Sequence, residues 1–305
     1  MSASQPLPSW NDGPVKSAIL DFIGRVSKQG GADFVPPSER IATFDNDGTL
    51  CCEQPLQIQF HFAFDRVKTL AAKDPAMEER PVFKAVIERD YNTLFGLGKQ
   101  ALTELAFATH AGMTDEEFNE VARGWLADAK HPRFGRLFRE CVYLPQVELL
   151  AYLRENGFKT YIVSAGGADF MRAFADEAYG VARDQVIGSS VKLRFDAAGD
   201  RFSLTKLPEL NIYNDREAKP TSIGLHIGRR PLLAFGNSDG DLAMMRYAKS
   251  GSGARLALLL HHDDAAREVA YDREFRISPL AEALDKADAY GFTVVSMKRD
   301  WNAVF

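Results

Sequence analysis

Residues 41–50 decide the predicted fold, and they read Ile41-Ala42-Thr43-Phe44-Asp45-Asn46-Asp47-Gly48-Thr49-Leu50. The first four residues form a short apolar run, which is typical of a strand buried on both faces of a parallel sheet. Asp45 and Asp47 follow at once, and Gly48 lets the chain turn sharply. Two carboxylates this close raise each other's pKa, and a hard cation such as Mg²⁺ removes the conflict. The stretch therefore predicts a buried strand that ends in an acidic, cation-binding loop.

Such a loop is suited to phosphoryl transfer. Asp45 can attack phosphorus and form an aspartyl-phosphate, while Asp47 can give a proton to the leaving group and then take one from water. Thr49 offers a hydroxyl and a backbone amide to an anion. A calcium-binding loop is disfavoured, because its frame places Thr43 and Gln54 where Asp and Glu are required. A plain turn remains the alternative.

Three further apolar runs have the same character, and helical patterns lie between them. These runs are residues 160–163, 231–235 and 256–260. The alternation predicts βαβ units and an α/β fold with a doubly wound parallel sheet. The residues that follow the runs are Ser164, Gly236-Asn237 and His261. Because ligands bind beyond the carboxyl ends of parallel strands, we expect these residues to converge near Asp45.

Two insertions interrupt this pattern. Residues 55–140 read as helices, with Thr114 and Glu117 forming a capping box before one of them. Residues 186–207 read as a β-hairpin around a loop at 197–200. The predicted organisation has three parts. Residues 1–13 form an irregular segment, residues 14–54 and 141–305 together form the α/β core, and residues 55–140 form an inserted helical cap.

Two later segments could bind an anion. Ser164-Ala165-Gly166-Gly167 combines a hydroxyl, glycine amides and a helix start, although a simple strand-to-helix turn would look the same. A lipase-type nucleophile elbow is excluded, because Ile162 stands where glycine is required. Lys219 is a lone lysine before Pro220, and such a residue is usually solvated.

Residues 236–241, Gly-Asn-Ser-Asp-Gly-Asp, place amide and carboxylate oxygens before a predicted helix at 242–248. The alternative is a helix N-cap, for which Asp241 alone would suffice.

These pieces, in this order, resemble the four motifs of the haloacid dehalogenase (HAD) superfamily. The matching segments are 45–49, Ser164, Lys219 and 236–241. The resemblance implies a Rossmann-like HAD core, with the helical insertion similar to a C1 cap and the hairpin similar to the phosphoserine-phosphatase branch. It implies Asp45 as nucleophile and Asp47 as general acid and base. The implied phosphate-binding residues are Thr49, Ser164, Ala165, Gly166 and Lys219, and the implied Mg²⁺ ligands are Asp45, Asp47 through its carbonyl, Asn237 and Asp241.

Two positions depart from the family pattern. Asn237 stands where the family usually has Asp, so we expect weaker Mg²⁺ binding unless Asp239 or Asp241 compensates, and tighter binding in Asn237→Asp. Phosphoserine phosphatases carry a substrate-reading Glu at the place of Gln54, whereas Glu53 lies one residue early. This disfavours L-phosphoserine as the substrate. Asp47 favours a phosphatase over a dehalogenase.

Composition narrows the class of protein further. The 305 residues carry 37 Lys and Arg against 42 Asp and Glu, a formal net charge of −5, and 46% are hydrophobic. This balance is ordinary for a globular protein and argues against a nucleic-acid partner. No apolar run approaches the roughly 20 residues that span a bilayer, so no membrane association is expected. The start of the chain lacks a signal-peptide pattern, which favours the cytoplasm, or the periplasm if a leader has been removed.

The cysteines and the histidine pair are not assigned a part in the proposed chemistry. Cys51, Cys52 and Cys141 are expected to be reduced, with the vicinal pair serving in packing. His261 and His262 are expected in a solvated loop, and the alternative is a pair that assists the binding of substrate or metal.

The resulting hypothesis is a Mg²⁺-dependent phosphatase that hydrolyses a small phosphorylated metabolite through an aspartyl-phosphate. The alternatives are a phosphotransferase or phosphosugar mutase, and a non-catalytic protein that binds a phosphorylated ligand. The sequence carries no signal for an oligomeric state.

Overall fold

The computed structural model of the chain describes residues 6–305, apart from the side chains of residues 99 and 100. Its centre is a seven-stranded sheet with the spatial order β4-β3-β2-β1-β5-β6-β7. The strands are β1 (Ile41–Phe44), β2 (Lys159–Gly167), β3 (Val186–Ala198), β4 (Arg201–Ile212), β5 (Leu233–Gly236), β6 (Leu256–His261) and β7 (Thr293–Ser296).

The sheet confirms the predicted doubly wound α/β fold. All neighbouring strands run parallel except β3 and β4, which are antiparallel. Strand order reverses at β1, which lies between β2 and β5, and ligands of such sheets bind at this reversal. Phe44 of β1 is in register with Phe235 of β5. Asp45 follows Phe44 directly and Asn237 follows Phe235 after Gly236, so both emerge at the same edge of the sheet.

Helices cover both faces of the sheet, as a buried parallel sheet requires. They are α1 (Pro14–Ser27), α2 (Ile58–Ala71), α3 (Pro81–Ile87), α4 (Tyr91–Gly96), α5 (Gly98–His110), α6 (Asp115–Asp128), α7 (Leu144–Glu155), α8 (Ala168–Arg172), α9 (Ala175–Tyr179), α10 (Ala218–His226), α11 (Leu242–Lys249), α12 (Glu282–Asp285), α13 (Ala287–Tyr290) and α14 (Met297–Asp300). All four residues of β1 are buried. One apolar cluster contains Phe44 and Phe235, and a second contains Ala234 and Leu259.

The helical insertion follows β1. The described backbone of residues 55–140 contains α2 to α6 and no strand longer than an isolated bridge. Apolar side chains of α2, α3, α4 and α5 form a cluster of their own, which includes Phe83 and Leu94. Helix α6 instead packs Phe118 into the main core. The predicted capping box of Thr114 and Glu117 is confirmed, and α4 is a helix that the sequence pattern did not predict.

The predicted hairpin is confirmed as β3 and β4, and it is longer than the sequence suggested. Strand β4 runs beside α5 and α6. Lys206 of β4 is buried, and its Nζ lies 2.9 Å from Asp115 of α6 and 2.6 Å from Asp169 of α8. This buried lysine ties the helical insertion to the core through two carboxylates.

The two ends of the described chain pack together. Trp10 and Trp301 are both 1% exposed and form an edge-to-face pair with ring centroids 5.8 Å apart. The predicted irregular segment 1–13 extends beyond the described residues at positions 1–5. Strand β7 was not predicted. Within residues 6–305, no helix combines the length and the apolar character needed to cross a membrane. All three cysteines are buried and free, which agrees with the prediction of reduced thiols.

Candidate active site

The acidic loop turns back on itself immediately after β1. The carbonyl of Asn46 accepts hydrogen bonds from the amides of Thr49 and Leu50, and the amide of Gly48 donates to the carbonyl of Cys51. Gly48 has φ +75°, in the left-handed region that favours glycine. This tight turn presents Asp45 and Asp47 at the same edge of the sheet.

Lys219 lies between two buried carboxylates, as its place in the third motif predicts. Its Nζ is 2.8 Å from Asp45 Oδ1 and 2.6 Å from Asp241 Oδ1. The lysine is only 2% exposed. Burial and then the charge of Asp241 raise the pKa of Asp45 to about 7, although Lys219 opposes the shift. Lys219 is therefore not the solvated lysine that a lone lysine usually is, because α10 carries it into the site, and its role toward phosphate stays a prediction.

Asp47 lies opposite the second motif. It is half-buried, and burial raises its pKa to about 6, against a hydrogen bond from Asn46 and the charge of Lys219. A Cβ built on Gly166 would lie 3.3 Å from Asp47 Oδ2 and 3.5 Å from Ser164 Oγ. Gly166 therefore lies close to both a carboxylate and a hydroxyl.

The backbone of the predicted anion-binding segment, residues 164–167, differs from the expected turn at the start of a helix. Strand β2 continues through Gly167, and the helix that follows, α8, has only five residues. A helix this short does not supply a helix-terminus anion site, so any cradle here is made of side chains and single amides. The amide of Gly166 donates to Ser164 Oγ at 3.1 Å, and that of Gly167 donates to Gln59 Oε1 at 2.7 Å. The roles of Ser164, Ala165 and Gly166 toward phosphate stay predictions.

Thr49 is already engaged by the protein. Its hydroxyl donates to Asn237 Oδ1 at 2.9 Å, its amide donates to Asn46, and its side chain is fully buried. Binding an anion through Thr49 would break one of these bonds. The structure therefore points to a role for Thr49 in holding Asn237.

The fourth motif contains one residue that faces away from the site. Asp239 accepts hydrogen bonds from the amides of Ala281, Glu282 and Ala283 at the start of α12. It is thus an anchor for that helix and does not compensate for the neutral Asn237. Asp241 points inward, but Lys219 holds its Oδ1, while the amides of residues 237 and 238 hold its Oδ2.

The oxygen atoms at this site suit a hard cation such as Mg²⁺. Fewer of them come from carboxylates than the predicted ligand set implies. Within the described residues, no three His, Cys, Asp or Glu side chains are grouped to hold a metal by themselves. In the part of the chain that the structure describes, Lys219 is the one cationic side chain in contact with Asp45 and Asp241. With Asp47 nearby, the carboxylates leave negative charge that Mg²⁺ would offset. Asn237 Oδ1 keeps one lone pair after accepting from Thr49. A cation here would be held by Asp45 together with carbonyl, amide and water oxygens.

His262 corrects the sequence interpretation. It is 1% exposed, and its Nε2 donates to the carbonyl of Gly48 at 2.7 Å, whereas His261 is partly exposed beside Asp272. The Nδ1 of His262 lies 3.3 Å from buried Glu268. Both ring nitrogens of His262 thus lie beside oxygen acceptors. Burial opposes ionisation of Glu268, but the hydrogen bond from His262 and its charge lower the pKa of that carboxyl.

Cys52 belongs to the same buried network. Its Sγ donates to Glu268 Oε1 at 2.8 Å. Burial and the charge of Glu268 raise the pKa of the Cys52 thiol far above its usual range. A thiol held neutral in this way supports the packing role predicted for Cys52.

The helical insertion contributes a side chain that sequence reasoning missed. Gln59 of α2 reaches Gly167, and its Nε2 lies 3.2 Å from His110 Nε2 on α5. His110 Nδ1 donates to the carbonyl of Ala106, and burial lowers the pKa of His110 to about 4. The neutral ring thus accepts from Gln59 and fixes its amide.

A separate cavity of about 580 Å³ lies between the helical insertion and residues 274–277. Its walls include aromatic rings of Phe64, Tyr91 and Trp125. None of the predicted site residues lines it, so it is not the phosphoryl site.

Solved structures of other proteins share the fold of this chain. A conserved protein of unknown function from Anaerococcus prevotii has 19% sequence identity and a TM-score of 0.58, with 82% of this chain and 86% of that chain covered. A protein of unknown function from Bordetella pertussis has 18% identity and a TM-score of 0.54, with 84% and 98% covered. A phosphoserine phosphohydrolase-like protein from Francisella tularensis has 17% identity, 82% and 98% coverage, and a TM-score of 0.44, too low to carry an argument.

No curated protein matches the sequence significantly. A family profile, however, matches residues 42–246, which is more than half of the chain and includes all four predicted motifs. The chain belongs to the haloacid dehalogenase-like hydrolases.

Proposed function

We propose that this hydrolase is a Mg²⁺-dependent phosphatase that cleaves small phosphomonoesters through an aspartyl-phosphate on Asp45. The observation that carries the proposal is the arrangement of Asp45, Lys219 and Asp47. Lys219 holds one oxygen of Asp45 at 2.8 Å, and Asp47, two residues further along, stays partly exposed beside Ser164. A nucleophile, a cation and a proton carrier thus share one edge of the sheet.

In the first step Asp45 attacks phosphorus, and the bond from phosphorus to the leaving alkoxide breaks. Lys219 holds Oδ1 of Asp45, which leaves Oδ2 to attack. Asp47 gives its proton to the departing oxygen, for which a pKa near 6 is suited, since general acids work best near the ambient pH.

In the second step water attacks the phosphorus of the acyl phosphate, and Asp47 takes the proton of that water. Inorganic phosphate leaves and the Asp45 carboxylate is regenerated. Ser164 Oγ, which like Asp47 lies close to Gly166, would donate to a phosphoryl oxygen. Lys219 stays beside Asp45 throughout and balances its charge.

Mg²⁺ would be held by Asp45 and by the oxygens of Asp47 and Asn237. When bound, it would offset the charge of the transferring phosphoryl group and of the crowded carboxylates.

The site favours a small substrate. Asp45 is only 7% exposed, and Gln59 reaches from the helical insertion to the backbone beside the phosphoryl site. His110 is neutral and accepts a hydrogen bond from the amide of Gln59. A leaving group would therefore meet an uncharged, hydrogen-bonding surface at this point.

The test is phosphate release from p-nitrophenyl phosphate and from a panel of small phosphorylated metabolites with millimolar Mg²⁺. We expect turnover by the native protein and none by Asp45→Asn. If an added alcohol acceptor collects more phosphate than water does, the protein is a phosphotransferase. Saturable phosphate binding without any turnover would identify a non-catalytic binding protein.

A further inference from the structure

Glu53 is a fully buried carboxylate that the mechanism above does not use. Its Oε1 accepts hydrogen bonds from Asn237 Nδ2 and from the Tyr271 hydroxyl, each at 2.8 Å, and its Oε2 accepts from Gln57 Nε2 at 2.9 Å. The side chain is 0% exposed. Three donors on one buried carboxylate hold it in a single position.

The contact with Glu53 determines which end of the Asn237 amide faces the catalytic loop. Glu53 Oε1 accepts from the NH₂ group of this amide, and Tyr271 and Gln57 donate to the same carboxyl group. The amide oxygen is then turned to the opposite side, where it accepts from Thr49 Oγ1 at 2.9 Å. With this orientation, residue 237 presents an oxygen rather than a nitrogen to Thr49 in the acidic loop.

Glycine at position 48 makes this arrangement compatible with the acidic loop. A Cβ there would lie 2.1 Å from Asn237 Nδ2 and 2.3 Å from Glu53 Oε1, both far inside van der Waals contact. The Glu53–Asn237 pair therefore packs directly against the backbone of the loop that carries Asp45 and Asp47.

We propose that Glu53 is a positioning residue, which orients the Asn237 amide so that its oxygen is available to the cation of the phosphoryl site. The inference rests on the proposed function, because it concerns the cation of that site. It also reverses an expectation from the sequence. Asn237→Asp would replace the NH₂ donor that lies 2.8 Å from Glu53 Oε1 with an oxygen acceptor, so the amide at 237 and the carboxyl group at 53 belong together.

The first experiment measures thermal unfolding in the presence of a chelator for the native protein, Asn237→Asp, Glu53→Gln and the double variant. We expect Asn237→Asp to lower Tm by about 4 °C or more, the shift that corresponds to roughly 1–2 kcal/mol in a chain of this size. The double variant should recover at least half of the loss, because the glutamine amide introduced at position 53 can donate its NH₂ group to the carboxylate introduced at position 237. Normal stability of Asn237→Asp, or no recovery in the double variant, overturns the pairing.

A matched control separates pairing from a general effect of losing a carboxylate. Glu148 of α7 also accepts two hydrogen bonds, from the amide and hydroxyl of Ser9, but it has no contact with Asn237. Glu148→Gln should therefore leave Asn237→Asp unrescued. Equal recovery by the two Glu→Gln changes contradicts the proposal.

The second experiment measures Mg²⁺ affinity by isothermal titration calorimetry. Glu53→Gln keeps a carbonyl acceptor for Asn237, so its Mg²⁺ affinity should stay within about threefold of the native value. Glu53→Met has no such acceptor and should bind Mg²⁺ about 10- to 100-fold more weakly, as is usual when a metal ligand loses its hydrogen-bond partner. Native Mg²⁺ affinity in Glu53→Met overturns the positioning role even if phosphate release is normal. If the native protein neither binds Mg²⁺ nor releases phosphate, the proposed function fails and this role falls with it. If Glu53→Met does not fold, the Tm of the double variant Asn237→Asp with Glu53→Gln decides between the two outcomes.

Discussion

Lys219 offers the sharpest test of how the site is held together, through the change Lys219→Met. The native ammonium lies within 2.8 Å of carboxylate oxygens on both Asp45 and Asp241, and all three groups are buried. Methionine has a similar length but no charge. The variant therefore leaves two carboxylates facing each other without their cation. Removing one member of a buried ion pair typically lowers the free energy of unfolding by about 3–5 kcal/mol.

The assay is urea unfolding at pH 8 in the absence of divalent cations. Lys192→Met is the matched control, because Lys192 forms an exposed ion pair with Glu209 and should change the free energy by no more than about 0.5 kcal/mol. The loss in Lys219→Met should also shrink at lower pH. Without the ammonium, the pKa of the Asp45 carboxyl rises further above its value in the unfolded chain, so protonation stabilises the folded variant as pH falls. A stability equal to that of Lys192→Met at pH 8 would refute the reasoning.

Three further variants test separate parts of the account. Because burial lowers the pKa of His110 to about 4, the native protein should lose up to about 3 kcal/mol between pH 6.5 and 4 from this group alone, and urea unfolding of His110→Gln should show a flatter acid limb. His262→Ala, which releases the carbonyl of Gly48, should lower kcat by about 100-fold with a smaller change in KM, and His262→Gln should restore part of it; an unchanged kcat contradicts the positioning of the loop by His262. Asp239→Ala should cost about 1 kcal/mol in unfolding experiments and leave Mg²⁺ affinity unchanged; a tenfold weaker affinity would show that Asp239 serves the cation after all.

The fold was predictable because its signals are local. The run at β1, the acidic turn after it and the apolar runs of β2, β5 and β6 each stand out from their neighbours, and parallel strands bring their carboxyl ends together without further information. Strand β7 was missed because four residues, Thr-Val-Val-Ser, carry too little pattern. Helix α4 is equally short.

The inner contacts of the site were not predictable for a different reason. Asn237 and Glu53 are 184 residues apart in sequence, and His262 and Gly48 are 214 residues apart. Such pairs depend on how the loops at the sheet edge pack, which no local pattern records. Polar residues beside the strand ends were visible, but whether each faces the site, as His262 does, or a neighbouring helix, as Asp239 does, emerges only from tertiary structure.

The central claim is that Asp45 becomes phosphorylated, and trapping in Asp47→Asn tests it most directly. p-Nitrophenolate leaves without needing a proton, so this variant should still be phosphorylated by p-nitrophenyl phosphate but should lack the base that activates water. After acid quenching, peptide mass spectrometry should find the phosphoryl group on Asp45, and Asp45→Asn should carry none. A phosphoryl group on another residue, or steady turnover by Asp45→Asn, would contradict the account.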